Sequence, residues 1–169
     1  MAENECPVLT VDDLGALYEA SYGQMVRVAT LLLGDVGMAE EVVQEAFMRV
    51  FAKLSSLRQP ERAEGYVYRT VVNLARSRLR RRVLAARLVA GPASPSQVDD
   101  DVVELVRRAA VVVGLRKLPT RQREAVVLRY YAQFSESEAA TVMGVSVGAV
   151  RAYTARGAAR LREELKELR

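Results

Sequence analysis

Residues 135–151 read SESEAATVMGVSVGAVR, and the way this stretch is punctuated decides the fold. Ser135 stands three residues before Glu138, the spacing at which a hydroxyl and a carboxylate reciprocally cap a helix start. Gly144 supplies the positive φ that ends that helix, and Ser146 caps the next. Ala139, Val142, Val145, Val150 and Leu161 fall where two short helices pack on each other, giving the helix, glycine turn, helix pattern of a helix-turn-helix. Gly157 weakens the second helix by about 1 kcal/mol relative to alanine, so packing or DNA has to hold its far half.

Working outward, Leu118-Pro119 breaks the chain before a helix expected from about Arg121 to Gln133 with Thr120 as its cap, and a further helix is expected from about Val98 to Lys117. Upstream, Ala90-Gly91-Pro92-Ala93-Ser94-Pro95-Ser96 and then Asp99, Asp100 and Asp101 read as a linker, because Pro, Gly and Ser favour turn and extended conformations. The N-terminal part opens on Thr10 and Asp13, a capping box with Asp in place of Glu, followed by Leu14, Leu17, Tyr18, Met25, Val28, Ala29 and Leu32 at helical intervals up to Gly34. Asp35 caps a second helix with Val42, Val43, Ala46, Phe47, Val50 and Leu54 inward and Glu41, Gln44, Glu45, Met48 and Arg49 outward. After a loop over Ser55 to Arg62, a third helix is expected from about Glu64 to Leu88, burying Tyr68, Val71, Val72, Ala75 and Leu79 while Arg69, Asn73, Arg76 and Arg80 share another face. Strand-like alternation is missing throughout. The expected fold is all-α, with two small helical domains over residues 10–88 and 102–169 joined by a flexible linker over 89–101, the C-terminal one carrying the helix-turn-helix.

The composition narrows the chemistry. The 169 residues contain no histidine, no tryptophan and one cysteine, Cys6. Ser-His-Asp and Cys-His nucleophilic pairs, His-ligated metals and intramolecular disulfides are thereby excluded, and no metal, cofactor or small-molecule substrate is expected. The remaining carboxylates form no paired site, so the chain is not expected to be an enzyme. No apolar run reaches the roughly 18 residues of a membrane span, and the first twenty residues carry no Lys or Arg, unlike a secretory signal. A cytoplasmic protein without membrane insertion is expected.

Net charge is only +4, but its distribution is uneven. Residues 66–87 hold Arg69, Arg76, Arg78, Arg80, Arg81, Arg82 and Arg87 without one acidic residue. A helix of one sign repels itself, which implies a polyanion to offset it. Tyr66 and Tyr68 stand at its head, where a tyrosine can stack on an unpaired base, although Tyr68 lies on the core face. A helix-turn-helix inserts the start of its second helix into the major groove, here Ser146, Val147, Arg151, Ala152, Thr154 and Ala155, with Arg156, Arg160 and Arg162 extending the charge toward phosphates.

In order and content these motifs resemble the bacterial RNA polymerase sigma factors of the extracytoplasmic-function class of the sigma-70 family, from about Leu14 to Leu165. Residues 39–47, AEEVVQEAF, are similar to the segment that docks on the clamp helices of the largest polymerase subunit. Residues 66–75, YVYRTVVNLA, resemble the promoter-melting helix, and residues 118–124, 128–131 and 146–151 resemble the C-terminal domain. The resemblance implies that Glu41, Gln44 and Glu45 contact core RNA polymerase. It implies that Arg69, Asn73, Arg76 and Arg80 serve the minus-ten element of promoter DNA, with the Ser55–Arg62 loop as pocket for a flipped base and Arg58 and Gln59 as candidate readers. Ser146, Val147, Arg151, Thr154, Ala155 and Arg156 address the minus-thirty-five element. An anti-sigma factor, often membrane-bound in this class, is a further implied partner.

Departures from the family are also legible. Ala152 and Tyr153 replace the common serine and arginine, removing a hydroxyl and a charge from the recognition helix. Phe51 and Tyr66 stand at or near positions where the family often has tryptophan, an exchange expected to be conservative for packing. A minimal two-domain factor is expected, binding promoter DNA poorly by itself because two small surfaces on a tether have low effective concentration for one another. Two alternatives stay open: an autonomous helix-turn-helix regulator, which binds an operator without polymerase, and a helical adaptor whose arginines contact acidic proteins and which binds no DNA.

Overall fold

A computed structural model describes residues 9–54, 62–88 and 102–167. Helix α1, Val11–Leu33, starts at the expected capping box: the Asp13 N–H donates to Thr10 Oγ1 at 3.2 Å and the Thr10 N–H to Asp13 Oδ2 at 2.9 Å. Gly34, at φ 73°, ends it in the left-handed conformation that only glycine adopts without strain. Asp35 accepts the Met38 N–H at 2.8 Å and opens α2, Val36–Ala52. Helix α3, Ala63–Leu88, lies across both. Met25, Val28 and Ala29 of α1, Val42, Val43 and Ala46 of α2 and Val67, Val71 and Val72 of α3 are almost wholly buried, as the 3.6-residue period required.

The C-terminal unit holds α4, Val102–Lys117, α5, Thr120–Val126, a π-helical turn over Val127–Tyr131, α6, Glu136–Met143, and α7, Val147–Glu167. Three expectations need correction. Thr120 is the first helical residue and not the cap; Pro119 takes the cap position, its carbonyl accepting the Arg123 N–H at 3.0 Å. The α-helix expected to reach Gln133 stops at Val126 and widens, with the Ala132 N–H donating five residues back to Val127 at 3.0 Å. Gln133 itself sits at φ 58°, a sparsely populated region for a residue with a side chain, and reverses the chain. The second helix of the helix-turn-helix is also longer than expected, at 21 residues.

Gly157 explains that length. A Cβ there would lie 2.7 Å from Val126 Cγ2 and 3.0 Å from the Gln122 carbonyl oxygen, so glycine lets α7 pack directly on α5. Close packing supplies what helix propensity lacks.

The two units are docked on each other. One buried apolar cluster runs from Leu32 and Tyr68 through Leu115, Leu118 and Leu128 to Val142 and Val150. Tyr68 meets Phe134 edge to face with ring centroids 4.8 Å apart, and burial pushes the Tyr68 hydroxyl up to about 12. Arg123, 8% exposed, crosses the boundary: its guanidinium donates to the Leu32 carbonyl at 2.7 Å at the end of α1, and to Arg116 and Leu118 carbonyls at 2.9 and 3.2 Å. Burial lowers its pKa, Arg116 adds to that and Glu124 opposes it; the guanidinium stays cationic.

Candidate polymerase and DNA surfaces

The first surface is the outer strip of α2. Glu41 and Gln44 are exposed, Glu45 is half-buried, and all three lie opposite the buried Val42, Val43 and Ala46. Met48, 73% exposed, and Phe51, 54% exposed, continue the strip one and two turns on. Phe51 was expected to pack and does not; nor does Tyr66, which is 42% exposed. An exposed methionine and phenylalanine beside carboxylates make a mixed patch of the kind found at protein interfaces. Gln44 and Met48 stand on the outward face that the helical period predicts; Phe51, one turn further along the same face, is the residue that the sequence reading placed in the packing instead.

Arg78 of α3 reaches this strip. Its guanidinium lies 3.2 Å from Glu41 Oε2 and 3.4 Å from Glu45 Oε2, while Arg49 holds Glu45 Oε1 at 2.6 Å. Burial works against a charged Glu45, yet the hydrogen bonds from Arg49 and Arg78 outweigh it and keep the carboxyl below its ordinary range. Part of the one-sign charge on α3 is therefore met by acids of the chain itself, which sequence distance concealed.

The second surface is the remaining face of α3. Arg69, Asn73 and Arg80 are exposed and share it. Arg76 is different: its Nε and Nη2 each donate to Glu124 of α5 at 2.9 Å, a two-pronged contact with a carboxylate whose residue is 2% exposed. Asn73 Oδ1 accepts from Arg76 Nη1 at 3.3 Å. Arg58 and Gln59 lie outside the described residues.

The third surface is the start of α7. Ser146 caps it as expected, Oγ accepting the Ala149 N–H at 3.1 Å, and the α6 capping box is formed, with the Ser135 N–H donating to Glu138 Oε2 at 2.7 Å. Gly144 sits at φ 67° between them. Arg151 and Ala155 are exposed one turn apart, and Arg151 Nε donates to Glu136 Oε2 at 2.6 Å, which poises the guanidinium beside the turn. Arg156 is exposed and lies over the Tyr153 ring at 6.0 Å. Val147 is half-buried. Thr154 departs from expectation: its hydroxyl is buried without a hydrogen-bond partner, so in this conformation it is out of reach of a base edge. A shallow cleft brings Arg69 of α3 together with Ser137, Gly144, Ser146 and Val147.

Among the described residues, no His, Cys, Asp and Glu side chains gather in a way that would hold a metal ion, and no helix is long and apolar enough to cross a membrane.

A docked helical pair, one unit bearing an arginine-lined helix and the other a capped helix-turn-helix, defines a DNA-associated protein. Its relatives give the class. Residues 17–84 match the model of sigma-70 region 2, and residues 108–161 that of sigma-70 region 4. The chain is 31% identical over 142 residues to an RNA polymerase sigma-E factor of Streptomyces avermitilis, covering 84% of this chain and 79% of that one. It is 28% identical over 153 residues to the ECF RNA polymerase sigma factor SigW of Bacillus subtilis, covering 81% and 80%. Among solved structures it resembles the sigma factor RpoE of Bartonella quintana, crystallised with the anti-sigma factor NepR, at a TM-score of 0.79 and 24% identity over 92% of this chain and 98% of that one. CnrH in complex with the cytosolic domain of CnrY gives a TM-score of 0.68 at 29% identity, over 91% and 88%. The chain belongs to the sigma-70 family of RNA polymerase sigma factors, in its extracytoplasmic-function class.

Proposed function

We propose that this protein binds core RNA polymerase and directs promoter-specific initiation of transcription. The observation that carries the proposal is the order of the two family matches on two units with the appropriate surfaces: an exposed docking strip and arginine-lined helix first, a capped recognition helix second. Residues 10–88 serve polymerase binding and the minus-ten element, 89–101 link, and 102–169 serve the minus-thirty-five element. On α2, Glu41, Gln44 and Glu45, joined by Met48 and Phe51, meet the polymerase. Arg69, Asn73, Arg76 and Arg80, with Arg58 and Gln59 ahead of them in the sequence, act at the minus-ten element. Ser146, Val147, Arg151, Ala155 and Arg156 act at the minus-thirty-five element, Arg151 at a base edge and Arg156 at phosphate. Capture of an unstacked base offsets a few kcal/mol of lost stacking during melting.

No catalytic step is assigned to the chain; the chemistry is the polymerase's, and the site of action is the cytoplasm. An anti-sigma factor is the further partner we propose, in keeping with the protein-bound forms of both structural neighbours. The exposed Met48 and Phe51 favour a polymerase-dependent factor over an autonomous regulator, which has no use for that strip. Run-off transcription with core polymerase on genomic fragments tests the proposal. Promoter-specific products are expected; none, together with no core binding, overturns it.

A further inference from the structure

The first turn of α6 carries two acids, Glu136 and Glu138, and they do different work. Glu138 turns back to close the capping box, accepting the Ser135 N–H at 2.7 Å. Glu136 reaches across to α7 instead, where its Oε2 accepts from Arg151 Nε at 2.6 Å. The arginine side chain is 68% exposed and the glutamate 34%, so the pair adds little to stability. What it restricts is the freedom of a long side chain. On α7 itself Arg151 finds no other hold: Val147 and Gly148 on the turn before and Ala155 on the turn after bear no polar side-chain group, and the Thr154 hydroxyl is buried.

The contact also selects which edge of the guanidinium is left for a ligand. With Nε engaged, Nη1 and Nη2 remain as paired donors on the planar fork. Such a pair grips O6 and N7 of guanine in the major groove. An arginine without a partner turns as readily to a phosphate, a contact that carries no sequence information. A carboxylate on a surface that meets DNA repels phosphates and works against affinity, so discrimination, and not affinity, accounts for a glutamate at this place.

We infer that Glu136 is a positioning residue for minus-thirty-five recognition: seated at the start of α6, it fixes Arg151 for guanine and keeps it off the phosphates. The inference rests on the assignment of Arg151 to a base edge, and goes beyond it by placing part of the specificity of α7 on the helix before it. The capping box at Ser135 and Glu138 then has a second use, since it fixes the turn from which Glu136 reaches out. Loss of Glu136 has effects of opposite sign: discrimination at one base pair falls, and affinity for DNA of any sequence rises.

The test uses holoenzyme and a duplex pool made from one promoter fragment recovered by run-off transcription, randomised across its minus-thirty-five element, with sequencing of the bound fraction. Wild type is compared with Glu136→Ala, Glu136→Gln, Arg151→Ala and the double alanine variant, each checked for helicity by circular dichroism. Arg151→Ala is expected to lose about tenfold in preference for guanine at one base pair. Glu136→Ala should lose at least about threefold at that same base pair, and the double variant no more than Arg151→Ala alone. Glu136→Gln keeps an acceptor for Nε and should retain the preference. Toward a random-sequence duplex, Glu136→Ala should bind more tightly, with a salt slope steeper by about 0.9 as Arg151 turns to a phosphate, an increment the double variant should lack. Weaker binding to every sequence with an unchanged profile would give Glu136 a structural role and overturn the inference. Relaxation at a base pair other than the one Arg151 reads would overturn it too, by making Glu136 a reader itself. If Arg151→Ala relaxes its base pair and Glu136→Ala does not, the positioning falls alone; if Arg151→Ala leaves the profile intact, the base-edge assignment falls with it. Wild-type holoenzyme without preference at any position overturns the proposed function as well.

Discussion

Arg78 on α3, the helix proposed to face DNA, lies 3.4 Å from Glu45 on α2, the helix proposed to face polymerase, and with its 3.2 Å contact to Glu41 ties the two faces of the N-terminal unit together. Half-buried pairs still reached by solvent contribute little to stability, which places the value of these two in orientation. Arg78→Ala is expected to change thermal stability by less than about 1 kcal/mol. Glu45→Ala is expected to weaken core binding by about tenfold, since it removes a charge from the strip proposed to meet the polymerase. Thermal unfolding reads the first and titration of labelled factor with core polymerase the second; wild-type affinity in Glu45→Ala would remove that residue from the proposed interface.

Met48 and Phe51 are the apolar part of the same strip. Replacing both with alanine should leave the unfolding midpoint nearly unchanged, because exposed side chains away from special features contribute within about 0.5 kcal/mol. The core affinity should fall by more than the Glu45 change alone produces, as expected where an aromatic anchor is removed. A drop in stability equal to the drop in affinity would show that these side chains serve the fold.

On α7, Arg151 and Arg156 should separate by the kind of loss they produce. Arg151→Ala is expected to cost about 1–3 kcal/mol and to relax base preference at one position, while Arg156→Ala should weaken all sequences alike and lower the salt slope by about 1. Holoenzyme binding to promoter fragments with single substitutions in the minus-thirty-five element distinguishes the two. Equal relaxation in both variants would contradict the assignment.

Gly157→Ala sets helix propensity against packing. Alanine gains about 1 kcal/mol in a helix interior. Its methyl group, however, meets Val126 Cγ2 at 2.7 Å and a backbone oxygen at 3.0 Å, and the backbone cannot swing aside as a flexible side chain does. Overpacking of this kind costs about 1–3 kcal/mol, so the net expectation is destabilisation, read by thermal unfolding. A stabilised variant would mean that α5 and α7 separate without cost.

Acid should loosen the helix-turn-helix through Glu138. Hydrogen bonds from the Ser135 hydroxyl and backbone N–H hold its carboxyl below the ordinary value of 4.5. A depressed carboxyl stabilises the fold fully above that value and loses its contribution as pH falls through the lowered one. Glu138→Gln should therefore be less stable than wild type near neutrality, with the gap closing as the pH falls through the lowered carboxyl value. A gap independent of pH would assign the capping effect to shape and not to charge.

What the sequence revealed and what it concealed divide by distance along the chain. The capping boxes at Thr10 and Asp13 and at Ser135 and Glu138, with the left-handed Gly34 and Gly144, are local devices that act within four residues, and each formed as read. The exposed Arg69, Asn73 and Arg80 followed from the same helical period. Arg76 did not, because its partner is 48 residues away and no periodicity points to it. Thr120 was misplaced by one residue because threonine is the better cap by type, whereas the carbonyl of Pro119 opens the helix. The exposure of Phe51 was missed because an aromatic residue near a core position reads as packing.

The widened turn over Val127–Tyr131 has a rotational consequence. One residue more than an α-helix needs is taken up there, with Tyr130 and Tyr131 turned toward solvent beside Leu161 and Leu165. Each residue of an α-helix advances the chain by about 100°. The surplus residue therefore works as a phase setting: it fixes the azimuth at which the chain leaves α5 for α6, the first helix of the helix-turn-helix. Shortening the turn by one would restore α-helical bonding there while offsetting the entry to α6 by about a quarter turn, against the seat that Gly157 gives α7 on α5.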